Sequence, residues 1–186
     1  MAMNPRVLIG VPCGETLHSR TAFSLFNLRG KATLEIQISA DIAQNRNRLV
    51  ERALHGDYTH LLFVDSDMFF APDTLERMLA HDKDILGLAC NRRKLPLESV
   101  VKPLKVEDEN KPLPTKLFEA KSVGTGMLLI KTDVLKTLTH PIFDFQYRNG
   151  KRFGEDVLFC EKAREAGYQI WVDPTIPVNH IGTYLY

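Results

Sequence analysis

The chain has 186 residues, 24 Lys and Arg against 23 Asp and Glu, a formal net charge of +1 and 44% apolar residues. That length suits one domain with a substantial core, and the near-neutral charge excludes a nucleic-acid binder working through bulk electrostatics. No apolar run reaches the ~20 residues of a membrane-spanning helix.

The opening residues lack a signal-peptide layout. Cys13, Cys90 and Cys160 stand apart, without a C-x-x-C pair, which points to a reducing compartment. A cytoplasmic protein is expected.

Val7-Leu8-Ile9-Gly10-Val11 reads as a buried strand closed by Pro12 and Gly14. Phe23, Phe26 and Leu28 predict a helix over 21–28, with Gly30 as its stop. Residues 33–38 alternate polar and apolar, as a half-exposed strand does. A helix is predicted over 41–54, with Asp41 and Gln44 spaced as a capping box. Its inner face would be Ile42, Leu49, Val50, Ala53 and Leu54. An apolar strand then ends at Asp65, a helix begins near Pro72, and 84–90 is a further buried strand. The alternation predicts an α/β fold with a mostly parallel central sheet flanked by helices.

Residues 91–121 break the pattern, because Pro96, Pro103, Pro112 and Pro114 interrupt any long element. A flexible loop is expected, with short strands at 99–101 and 116–119; it is either a binding loop or a plain solvated excursion. Order resumes with a strand over 127–130 and a helix over 132–138. A small antiparallel edge hairpin turns at Asn149-Gly150. A helix over 155–166, a strand over 169–172 and a last segment over 176–180 complete the chain.

Asp65-Ser66-Asp67 stands out at the end of a strand apolar enough to be buried on both faces. That edge of an open α/β sheet is where ligands bind. Two carboxylates with no cation between them suit a divalent ion and a phosphate, or a turn in which each caps backbone N–H groups. Arg46 occupies a helix position where an apolar side chain is expected, so it needs a partner: a phosphate, or Asp65. Gly124 and Gly126 allow close backbone approach before a buried strand. Glu155 and Asp156 open a helix, where acids favour the dipole or where one can act as general base. His180 is either structural or a further ligand.

In order, the pieces are Val11-Pro12, Arg46-Asn47-x-Leu49-Val50, Asp65-Ser66-Asp67-Met68, Gly124-x-Gly126-Met127-Leu128, Gly154-Glu155-Asp156 and Val178-Asn179-His180-Ile181-Gly182. Together they resemble the family 2-like glycosyltransferases of the glycosyltransferase-A fold. The resemblance implies a single Rossmann-like nucleotide-diphospho-sugar transferase domain over 1–186. It also implies metal-dependent, inverting transfer of a sugar from a UDP- or GDP-linked donor to an acceptor hydroxyl.

Residue by residue, it implies Pro12 beside the base, Arg46 near the nucleotide or its diphosphate, and Asp65 with Ser66 on the ribose side. Asp67 and His180 would hold Mn²⁺ or Mg²⁺. Gly124, Gly126 and Glu155 would line the donor sugar and acceptor, and Asp156 would be the base. The chain is short for that family, and a homo-oligomer is compatible with it. Two other readings stand: a non-catalytic nucleotide-sugar-binding module, and a sugar nucleotidyltransferase. The last is disfavoured because Gly10-Val11-Pro12-Cys13-Gly14-Glu15 is a poor phosphate loop.

Overall fold

A computed structural model describes residues 4–93, 98–105 and 111–182. The first half comprises β1 (Val7–Cys13), α1 (Ser19–Phe26), β2 (Thr33–Ile38), α2 (Ile42–His55), β3 (His60–Val64), β4 (Met68–Phe70), α3 (Thr74–Ala80) and β5 (Ile85–Leu88). The second comprises β6 (Lys102–Pro103), β7 (Phe118–Ser122), β8 (Met127–Lys131), α4 (Thr132–Thr137), β9 (Gln146–Arg148), β10 (Lys151–Phe153), α5 (Glu155–Glu165), β11 (Ile170–Asp173) and β12 (Val178–His180).

Eight strands form one sheet in the order β2-β1-β3-β8-β5-β11-β7-β6. β1 is buried along its whole length and β3 is buried from Leu61 to Val64, as their unbroken apolar sequences require. Leu8, Leu49, Val50, Phe63, Val134 and Phe159 pack on one face of the sheet, beneath α2, α4 and α5. Ile9, Val11, Leu25, Leu62, Val64 and Leu75 pack on the other, beneath α1 and α3. Each such side chain, fully buried, contributes about 1.5–3 kcal/mol over exposure, so both helical layers are held by the sheet they cover.

The expected mostly parallel sheet is corrected to a mixed one. Parallel pairing joins β1 to β2, β1 to β3 and β5 to β11. β8, however, runs antiparallel to both its neighbours β3 and β5, and β7 is antiparallel to β11 and β6. A strand buried on both faces has the same apolar sequence in either direction, so its sense is not written in composition.

The Asn149-Gly150 hairpin forms, with φ of 51° and 75° at the two turn residues. β9 and β10 make a separate two-stranded ribbon rather than an edge of the main sheet. Part of the expected loop over 91–121 is strand: β6, β7 and an Asn91–Ser99 bridge. Residues 94–97 and 106–110 of it lie outside the described residues. Among the described residues no helix is long and apolar enough to cross a membrane.

Candidate functional site

β1, β3, β5 and β11 all run in one direction, so their C-terminal ends share one edge of the sheet. β8 runs the other way, which brings the Gly124-Thr125-Gly126 segment before it to that same edge. Asp65 leaves β3 there; its N–H donates to Gly126 O at 2.9 Å, and its own carbonyl accepts from Met68 N at 3.2 Å. A Cβ on Gly126 would stand 3.1 Å from Asp65 Oδ2 and 3.4 Å from Met68 Sδ, so glycine is what lets the two segments meet. Gly124 packs instead against Val100. Ser66 O accepts from His18 N at 2.9 Å, tying the turn to the start of α1.

Arg46 comes up from α2, whose N-terminus is capped by Asp41 accepting from Gln44 N at 3.0 Å. Its side chain is only 2% exposed. Nη2 donates to Asp65 Oδ1 at 2.7 Å, and Nε lies 3.5 Å from Glu155 Oε1 at the tip of α5. The guanidinium also sits over the Phe63 ring, 5.2 Å from its centroid. Arg46 therefore ties the end of β3 to the start of α5. Burial pushes the Glu155 carboxyl above its ordinary range, despite the opposing charge of Arg46. Its neighbour Asp156 accepts from Val157 N at 2.8 Å through Oδ1.

His180 reaches the edge through the β12–β4 ribbon, in which it lies opposite Met68; Ile181 N donates to Asp67 O at 2.8 Å. His180 Nε2 stands 3.2 Å from Asp67 Oδ1, and Nδ1 is 3.1 Å from Asn91 O. A carbonyl and an ionised carboxylate only accept, so both ring nitrogens are called on to donate. The hydrogen bond to Asp67 accordingly raises the His180 pKa, against burial. Arg93 Nη1 completes the group at 2.7 Å from Asp67 Oδ2. Burial opposes ionisation of Asp67, but His180 and Arg93 outweigh it and hold its pKa below the ordinary value. Beneath the site, burial and then the charges of Asp65 and Asp67 push the Cys90 thiol up to about 12, which leaves it protonated and unreactive.

The edge thus gathers Arg46, Asp65, Ser66, Asp67, Gly126, Glu155 and His180, with Asp156 adjoining Glu155. Pro12 stands apart from the expectation. It lies buried inside β1, paired with Gln37, rather than in a loop beyond the strand. Arg93 was not singled out from the sequence. Its signal was the basic Arg92-Arg93 pair a few residues after β5, whose C-terminal end lies at the same edge as the two aspartates.

The expected Mn²⁺ or Mg²⁺ site is overturned. Among the described residues no group of three or more His, Cys, Asp or Glu side chains could hold a metal ion. The contacts of the donors agree: both Asp67 oxygens already face protein groups, Oδ2 the Arg93 guanidinium at 2.7 Å and Oδ1 the His180 ring at 3.2 Å.

No protein-family model matches the sequence, and no curated protein matches it. Among solved structures, the crystal structure of A197 from STIV is similar, with a TM-score of 0.72 over 96% of this chain and 86% of that one. At 18% identity that likeness shows the fold alone. The expected membership in the family 2-like glycosyltransferases is thereby corrected: the likeness found is to A197, and it carries no such family with it.

Proposed function

We propose that this edge binds a nucleoside-diphosphate sugar and transfers the sugar to an acceptor hydroxyl, in a single Rossmann-like domain. The observation that carries the reading is the double engagement of Asp67. Arg93 and His180, from two separate segments, converge on one carboxylate at 2.7 and 3.2 Å. A phosphate that takes the place of that carboxylate meets an arginine fork and an imidazolium together, a strong oxyanion site.

In the reaction we assign, the acceptor oxygen bonds to the anomeric carbon as that carbon's bond to the phosphate oxygen breaks. The electron pair leaves with the diphosphate, whose growing charge Arg93 and His180 stabilise. The acceptor proton passes to Asp156, because an alcohol needs a base as it attacks. Asp65 and Ser66 contact the ribose, and Gly126 lets the turn that carries them pack close against β8. Three buried, unpaired cysteines suit a reducing, cytoplasmic setting.

Calorimetric titration of the protein with UDP- and GDP-sugars, with product detection, tests this. At least one donor should bind and turn over, and Arg93→Ala should weaken its binding. Asp156→Asn should keep affinity while losing ~10²–10⁴-fold in rate. Failure of any nucleoside diphosphate to bind, or an Arg93→Ala protein that binds as well as the parent, overturns the reading. A binding-only module is favoured by one feature, the use of Asp156 Oδ1 on its own helix N–H. Donor binding without turnover would select it.

A further inference from the structure

The two edges of the eight-stranded sheet are finished differently. At one edge β6 is two residues long, is made of a lysine and a proline, and meets β7 through an irregular register. These are devices that stop an edge pairing with another chain. At the other edge β2 runs for six residues, Thr33-Leu34-Glu35-Ile36-Gln37-Ile38, in unbroken register with its sheet neighbour β1. It has no lysine, no proline and no bulge.

Leu34, Ile36 and Ile38 lie beside Ile9, Val11 and Cys13 of β1 and so continue the apolar face of the sheet, yet they are 46, 39 and 69% exposed. On α1, Phe23 and Phe26 are exposed too, and Phe26 lines one groove with Leu34. Of the seven large apolar side chains that stand exposed among the described residues, five fall on α1 and β2. The uncovered apolar surface is therefore concentrated at the one unguarded edge.

We propose that β2 is the contact edge of a homodimer, in which two copies pair antiparallel through β2 about a two-fold axis at Ile36. Residues directly opposite in an antiparallel pair share a face, so the three apolar side chains must meet one another. An axis at Ile36 sets Ile36 against its own copy and Leu34 against Ile38 of the partner subunit. On the other face it sets Glu35 against Gln37 of the partner subunit, acid against amide. Shifting the axis one residue earlier puts Glu35 against its own copy and leaves Ile38 unmatched, while one residue later leaves Leu34 unmatched. The Ile36 register alone matches all three apolar residues without opposing like charges. Glu35 is already held by Arg52 Nε at 2.9 Å and Gln37 Nε2 at 2.9 Å, so its charge is compensated where the second strand would arrive. A strand complementary to itself is what a two-fold interface demands, and it names a second copy as the occupant.

Sedimentation velocity over a wide protein concentration range tests the proposal. The parent protein should sediment as a dimer. Ile36→Lys, which sets two like charges face to face on the axis, should give a monomer. Gln37→Glu, which sets acid against acid twice, should raise the dissociation constant by about ten-fold, less so in high salt. Both positions are surface ones, and far-UV circular dichroism checks that the variants fold. A parent that stays monomeric, as it would if a different protein covered β2, overturns the proposal. A dimer indifferent to Ile36→Lys overturns it as well, and a dimer indifferent to Gln37→Glu overturns the register on which it rests.

Discussion

Arg46, 2% exposed, donates to Asp65 Oδ1 at 2.7 Å, so a fully buried cation on α2 is neutralised by a carboxylate at the end of β3. This pair was one of two readings of Arg46, the other being a bound phosphate. With Nη2 given to Asp65 and Nε facing Glu155, Arg46 is a positioning residue that couples β3 to α5.

Asp65→Ala should therefore destabilise the protein well beyond an ordinary surface change. Removing one partner of a buried pair strands the other charge, at a cost of about 3 kcal/mol or more. Urea unfolding of Asp65→Ala, Arg46→Met and the double variant measures it. The double variant should be less destabilised than the sum of the singles, since it leaves neither Arg46 nor Asp65 without the other.

The His180–Asp67 contact predicts a pH window. His180 is raised above 6.5, so its contribution is full below that value and is lost as pH climbs through the folded pKa. Asp67 is lowered from 3.8, so its contribution is present above 3.8 and lost as pH falls through the folded pKa. The contact is strongest between the two, and thermal unfolding across pH should show His180→Gln removing the decline on the alkaline side.

Glu155 carries the opposite sign to Asp67. Its folded pKa lies above 4.5, so the folded state holds a proton that the unfolded state has released, and stability falls as pH rises from 4.5 through the folded pKa. Glu155→Gln should abolish that fall while leaving the His180 transition in place. Comparing the two variants in one pH series separates them.

Asn47 holds Phe143 by both backbone groups, donating to Phe143 O at 2.8 Å and accepting from Phe143 N at 3.0 Å. Phe143 in turn stacks on Phe159 and meets Phe63 edge-on, with centroids 5.0 and 5.2 Å away. Asn47→Ala should cost about 1–3 kcal/mol through the unsatisfied backbone groups. Chemical denaturation should report the loss with an unchanged m-value.

What the sequence determined by itself is local. The Asp41–Gln44 cap, the Asn149-Gly150 turn, the end of β3 at Asp65 and the glycine before β8 each depend on residues a few positions apart, so their chemistry is written in order along the chain. The tertiary structure decided the rest. Strand sense at β8 could not be read, because burial on both faces demands the same residues either way. The partners of Asp65 and Asp67 could not be read either. Two aspartates two apart look like metal ligands in isolation, and only the return of Arg46, Arg93 and His180 from distant segments makes them acceptors of cationic side chains. The exposed alternation of β2 was legible as a pattern. That it is the open edge of the sheet follows only from the strand order.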